Sequence, residues 1–335
     1  LFPPNCGDKE GIGLLKTDLV IEAHEVLLQT SQLPEIEGVK RDYRSYEGID
    51  ISIIEIVTAQ AAEMLGKSPG KYITVEASGL KDKNSELEER LVGVLCEQLQ
   101  GILALDEEAT VLVVGLGNWN VTPDSLGPSV VEGLYVTRHL KALHPEKLGP
   151  GFRNVCAIAP GVLGLTGIET SEIIYGIVQR LKPDMVIAID ALAARSMHRL
   201  NTTIQISDTG IYPGSGVGNR RQGITRETLG IPVIAIGIPT VVDAATLTND
   251  VIDLLIAAFR KEAKAGDNVS QMLALFNNFD KAEKHKLIQE VLDPAVGLMM
   301  VTPKEVDRLL ADISALLANA LNAALHPRVA KEYLH

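Results

Sequence analysis

Aromatic side chains are scarce in this chain: seven Tyr, five Phe and one Trp make up 4% of 335 residues. A core of ordinary density must then be filled by Val, Ile, Leu and Ala, drawn from the 46% of residues that are hydrophobic. Only three cysteines occur, Cys6, Cys96 and Cys156, without metal-type spacing. That argues against a disulfide framework and fits reduced thiols in a cytoplasmic protein. Positive charge is short too, with 31 Lys and Arg against 43 Asp and Glu and a net charge of −12. No basic face is left to grip nucleic acid, so no direct nucleic-acid partner is expected. No apolar run approaches the ~18 residues that cross a bilayer. The first residues have neither the basic start nor the apolar stretch of a secretory signal. An intracellular protein without a membrane partner is expected.

What is present follows two periods. Residues 1–18 are rich in Gly, Pro and charge and read as a flexible arm. Residues 50–57 and 71–77 alternate apolar and polar, as half-buried strands do. Between them Thr58 is placed to cap a short helix that Gly66 and Pro69 stop. Residues 85–103 carry Leu87, Leu91, Val94 and Leu95 at the spacing of a helix face. Four later runs, at 110–114, 155–159, 185–189 and 232–236, are apolar on both faces. Strands of a parallel sheet read this way because helices cover both sides. Helical stretches around 128–140 and 169–181 lie between them, and the chain turns helical after Asp250, ending in 304–325. The fold class expected is α/β: an open, mainly parallel, doubly wound sheet with helices on both faces and a helical C-terminal segment.

In such sheets ligands bind beyond the carboxyl ends of the strands. The run at 110–114 leads into GLGNWNVTPDSLGP, with Asp124 shortly before a helix; the run at 185–189 leads straight into Asp190 and small residues. Two neighbouring carboxyls can share a proton, one serving as base toward water and the other as acid. The plainer alternatives are a helix N-cap for Asp124 and a loop-amide acceptor for Asp190. A third segment, SDTGIYPGSGVGNRR at 207–221, has a G-x-G-x-G run. No helix follows at once and no Lys-Ser/Thr pair is present, so it reads as a binding loop or turn rather than a phosphate loop. His24, His139 and His198 are isolated, and neither Ser215 nor Cys156 has a base nominated by a motif.

Taken together, GLGNWNVTPDSLGP, TGIETSEIIYGI, VIAIDALAARS, TIQISDTGIYPGSGVGN and ETLGIPVIAIGIPTVVDA resemble the germination proteases of spore-forming bacteria. The likeness runs from Lys16-Thr17-Asp18-Leu19 to Leu321-Asn322-Ala323-Ala324-Leu325-His326, with a shorter stretch around 260–285. It implies an endopeptidase that starts the degradation of small acid-soluble, DNA-coating spore proteins in the cytoplasm of the spore core. It implies a self-processing zymogen, cut between Asp18 and Leu19, that assembles as a homotetramer. Residues 1–18 would be the pro-segment and 19–335 one catalytic α/β domain with a helical part from about 250. The family's essential aspartates fall on Asp124 and Asp190, and no cofactor or metal is implied. A weaker similarity, G-x-G-N followed by Asp and then G-P, points to the hydrogenase maturation endopeptidases. On that alternative Asp124 and Asp190 would be metal ligands of a metal-dependent peptidase.

Overall fold

A computed structural model describes residues 17–31, 34–144, 151–213, 222–262 and 299–329, with single positions 146, 148, 287, 290 and 291. Its strands, among the described residues, are β1 (Val39–Tyr46), β2 (Ile49–Ile56), β3 (Gly70–Glu76), β4 (Thr110–Gly115), β5 (Asn154–Ile158), β6 (Met185–Ala194), β7 (Thr203–Ser207), β8 (Val233–Asp243) and β9 (Met300–Val301). The helices are α1 (Val20–Ser31), α2 (Ala59–Leu65), α3 (Ser85–Leu103), α4 (Leu126–Glu132), α5 (Arg138–Leu143), α6 (Leu163–Thr166), α7 (Thr170–Leu181), α8 (Arg226–Leu229), α9 (Ala244–Glu262) and α10 (Val306–Leu325). All the strands share one sheet in the order β1-β2-β3-β7-β8-β6-β4-β5, with β9 beside β8. The four doubly apolar runs pair in parallel as β5-β4-β6-β8. On the far side of β8 the alternating strands add an antiparallel wing.

Both faces are covered, as the apolar runs require. Val111 and Val113 of β4 face a core shared with α3, α4 and α10, while Leu112 and Val114 face Ile174 and Val178 of α7. Farther along that second face, Leu19 and the helices α1 and α2, through Val20, Ala61 and Leu65, pack against Ile54, Ile56 and Leu192. The largest fully buried side chains are Leu and Ile, which is how a chain poor in aromatics fills its interior. Helix α10 is long and apolar enough to cross a membrane, yet it is largely buried against α3 and α4 as a core helix.

Local signals held where local chemistry sets the boundary. Thr58 Oγ1 accepts the Ala61 amide (3.2 Å) at the start of α2, and Gly66 closes it at φ +63°. Elsewhere the structure departs from the sequence pattern. The helix expected over 128–140 is two short ones, because Thr137 between them exchanges backbone and hydroxyl hydrogen bonds with Val155 of β5. Helix α9 begins at Ala244, six residues before the expected turn to helix, with Asp243 accepting the Thr246 amide (3.3 Å). Strand β1 has no apolar face to announce it and exists by pairing with β2 through the tight turn at Glu47 and Gly48. Both turn residues have positive φ, +46° and +85°, as a short hairpin demands.

His326 closes α10 and is almost wholly buried. Its Nδ1 accepts the Arg153 amide (3.1 Å), and Nε2 lies 3.4 Å from the Tyr135 carbonyl. Burial pushes its pKa down to about 4. A histidine depressed in the folded state is protonated first in the unfolded chain, so stability is lost as pH falls from 6.5 toward 4. The loss should reach about 3 kcal/mol at the acid end. Denaturant unfolding across that range should show it, and His326→Asn should flatten the dependence. An equal slope in the variant would assign the acid loss to other groups.

Candidate active site

From β4 the chain steps to β5 on one side and then crosses to β6 on the other, so the order reverses between β4 and β6. The crevice beyond their carboxyl ends is where an open α/β sheet binds ligands. Asp124 reaches it from the loop after β4 and Asp190 from β6, one residue beyond the last β4–β6 pair, Gly115–Ile189.

The glycines around Asp124 are there for close packing. Gly117 has φ +115°, and a Cβ on it would fall 1.9 Å from the Asp124 carbonyl oxygen. That oxygen accepts the Asn118 amide (2.9 Å), and the Asp124 amide donates to Val121 (2.8 Å), winding the turn tightly. From β8, Thr240 Oγ1 donates to the Pro123 carbonyl (2.7 Å) and bolts the turn to the sheet. The N-cap position of α4 belongs to Ser125, which leaves Asp124 outside the capping role that was its plainer reading. At Gly127 a Cβ would meet Leu116 O at 2.3 Å and Ile189 O at 2.6 Å, all backbone. Gly127→Ala should therefore destabilise the protein by about 3 kcal/mol, because backbone cannot yield as a side-chain tip can. It should also cut activity by pushing α4 off β6. Chemical denaturation and an activity assay on the folded fraction check this; unchanged values for both would show the packing to be slack.

Asp190 does not end its strand. The sequence pattern placed the strand end at Ile189, whereas β6 runs on to Ala194 beside β8, with Asp190 paired to Gly237. A charge inside a buried strand is costly, and so it reads as a breaker. Here Asp190 is 8% exposed, and its carboxylate accepts the Ala191 amide (2.9 Å). Burial pushes its pKa well above the ordinary carboxylate range, and the charges of Asp124 and Asp18 push it further the same way. Asp124 is half-buried; burial raises its pKa too, against the pull of the Asn118 amide. Two carboxyls held at different affinities for a proton can act as acid and base in one cycle.

Asp18 and Leu19 join this neighbourhood. Asp18, at the end of the stretch expected to be a loose arm, lies against β6: its amide donates to Ala193 O (2.9 Å), and its carboxylate accepts the Ala193 amide (2.8 Å). Leu19 is fully buried. Lys67 Nζ donates to the carbonyls of Thr17 (2.9 Å) and Asp18 (3.0 Å), and Gln205 Nε2 to Asp18 O (3.3 Å). Burial pulls the Lys67 pKa down, against the Asp18 and Glu22 charges. Neither Lys67, in a Ser-Pro-Gly loop, nor Gln205, inside β7, carries a sequence signal for this role. Thr240 was equally silent.

The other candidates stand apart. Cys156 is half-buried on β5, where burial holds its thiol up. The Gly-rich segment is described to Pro213, and 214–221, with Ser215, lies outside the described residues, as do 1–16 with Cys6 and most of 260–285. Among the described residues no three His, Cys, Asp or Glu side chains group to hold a metal ion.

The profile of the germination protease family matches residues 18–279 and 268–335. A germination protease of Bacillus mycoides is 46% identical over 347 residues, covering 94% of each chain. One of a Geobacillus species is 47% identical over 352 residues, again covering 94% of each. Among solved structures, a [NiFe] hydrogenase maturation protease from Thermococcus kodakarensis is similar at TM-score 0.33 and 16% identity, over 67% of this chain and 97% of that one.

Proposed function

This chain belongs to the germination protease family and is a hydrolase of peptide bonds; from that premise we propose that Asp124 and Asp190 are its catalytic pair. The supporting observation is a buried carboxyl at the switch-point crevice whose ionisation a second carboxylate opposes. Asp190, the more strongly raised, holds the proton, and Asp124 is the base. Water attacks the peptide carbonyl carbon while Asp124 takes its proton. The C–N bond then breaks as Asp190 protonates the leaving nitrogen, giving a carboxyl and an amine.

The substrates are the small acid-soluble proteins that coat spore DNA, met in the cytoplasm of the spore core. The enzyme works without a cofactor, nucleic acid or membrane and as a homotetramer. It is made as a zymogen that cuts itself between Asp18 and Leu19, releasing residues 1–18 from the catalytic domain 19–335. Burial of Leu19 and the charge of Asp18 on Asp190 favour a cut made within one molecule. Digestion of a purified spore DNA-coating protein, with and without a chelator, tests the reading. Cleavage is expected in both. Loss with the chelator and recovery with one divalent ion would make the two aspartates metal ligands.

A further inference from the structure

Odd-numbered residues of β6 turn their N–H and C=O toward β4: Ile189 O accepts the Leu116 amide at 2.8 Å. Even-numbered ones turn toward β8, as the Val186 amide does to Pro232 O (3.0 Å). Since β4 ends at Gly115, no strand among the described residues pairs with that edge of β6 beyond Ile189; there the Ala191 amide turns back to Asp190 Oδ1 (2.9 Å), and Ala193 follows. An open strand edge is a template for another extended backbone. In this structure Asp18 sits on it: its amide donates to Ala193 O, its side-chain carboxylate accepts the Ala193 amide, and Lys67 and Gln205 hold its carbonyl oxygen. Lys67 spends a sequestered ammonium on two main-chain carbonyls, an arrangement that reads backbone rather than side chain.

We propose that the β6 edge at Ala193, with Lys67 and Gln205, is the docking site for the substrate's extended backbone, and that residues 17–18 are its resident occupant. The edge takes the main-chain amide of the residue at the Asp18 position on Ala193 O and its carboxylate on the Ala193 amide, and the two side-chain donors grip its carbonyl. This rests on the peptidase reading above. It adds two side chains to the binding machinery and explains how one site serves both self-processing and foreign substrate. When residues 1–18 leave, Ala193, Lys67 Nζ and Gln205 Nε2 lose Asp18 together and can take the next chain, while Gln205 Oε1 keeps the Val20 amide (2.7 Å).

Hydrogen exchange on the full chain carrying Asp190→Asn, which keeps self-processing out of the readout, tests the site. The amides of Asp18 and Ala193 should be protected. Lys67→Met should speed both by about tenfold or more, the loss of charge-assisted hydrogen bonds, while β4 stays unchanged and Lys67→Arg restores protection. If Lys67→Met loosens β4 as well, Gln205→Leu replaces it with the same expected outcome. A peptide with the sequence of residues 13–18, added in large excess, should speed exchange at Asp18 yet leave Ala193 protected, because it takes the resident's place. Protection at Ala193 that survives loss of the donors, or a peptide that leaves Asp18 protected, overturns the proposal. None of these readouts needs catalysis. A chain that passes them but cleaves no spore protein would sink the proposed function and leave the docking site standing.

Discussion

Asp124→Asn and Asp190→Asn should each lower peptidase activity by about 10²–10⁴, the usual worth of one acid–base group, with the fold intact. Asn keeps the size and hydrogen-bonding reach of the carboxyl but cannot exchange a proton, so turnover stops while packing around β6 is preserved. Stability separates the two sites further. The folded pKa of Asp190 is raised, so above the ordinary carboxyl range the unfolded chain sheds its proton first, and stability falls as pH rises toward the folded value. Asn resembles the protonated acid and escapes that loss. Asp190→Asn should therefore melt higher than the parent at neutral pH, by a margin that shrinks as pH falls toward 4. Asp124 is less buried, and its Asn variant should gain less. Activity against pH should be bell-shaped, with the acid limb from protonation of Asp124 and the alkaline limb from ionisation of Asp190. Either variant keeping more than about a tenth of parental activity would remove that residue from the proton transfers.

Removal of residues 1–18 is expected to raise activity by about a thousandfold. A preference of roughly 4 kcal/mol for the covered crevice leaves about one molecule in a thousand open. Contacts of Thr17 and Asp18 with Ala193, Lys67, Gln205 and Glu22 are sufficient in kind to supply it. Mass spectrometry of incubated full-length protein should find the cut between Asp18 and Leu19. Its rate should be independent of protein concentration, because a bond beside a fully buried Leu19 is out of reach of a second molecule. Asp190→Asn should block it. A processing rate that rises in proportion to concentration would mean cutting between molecules. A chain starting at Leu19 that is no more active than the full one would reduce residues 1–18 to a tail.

Periodicity made the strands β2, β3, β4, β5, β6 and β8 and the helices α2, α3 and α7 legible, since each is announced by neighbours within a few residues. The same local chemistry marked Asp124 and Asp190 as acids beside strand ends. It could not show that Asp190 lies inside β6, because a buried carboxyl is tolerable there only once its proton is held by burial and by Asp124. Nor could it show β1, whose residues lack an apolar face, or β7, a short buried stretch wedged between β3 and β8. Sequence alone thus determined the α/β class and the helix-covered parallel strands, and it placed Asp124 and Asp190 just after two of them. The tertiary structure decided what surrounds them. Ala193 and Asp18 meet across 175 positions of chain, and Lys67 reaches the same segment across 49 and 50. Contacts of that range leave no period in the sequence, since they arise only when β4 stops short, β6 runs on, and an open edge must find hydrogen-bond partners.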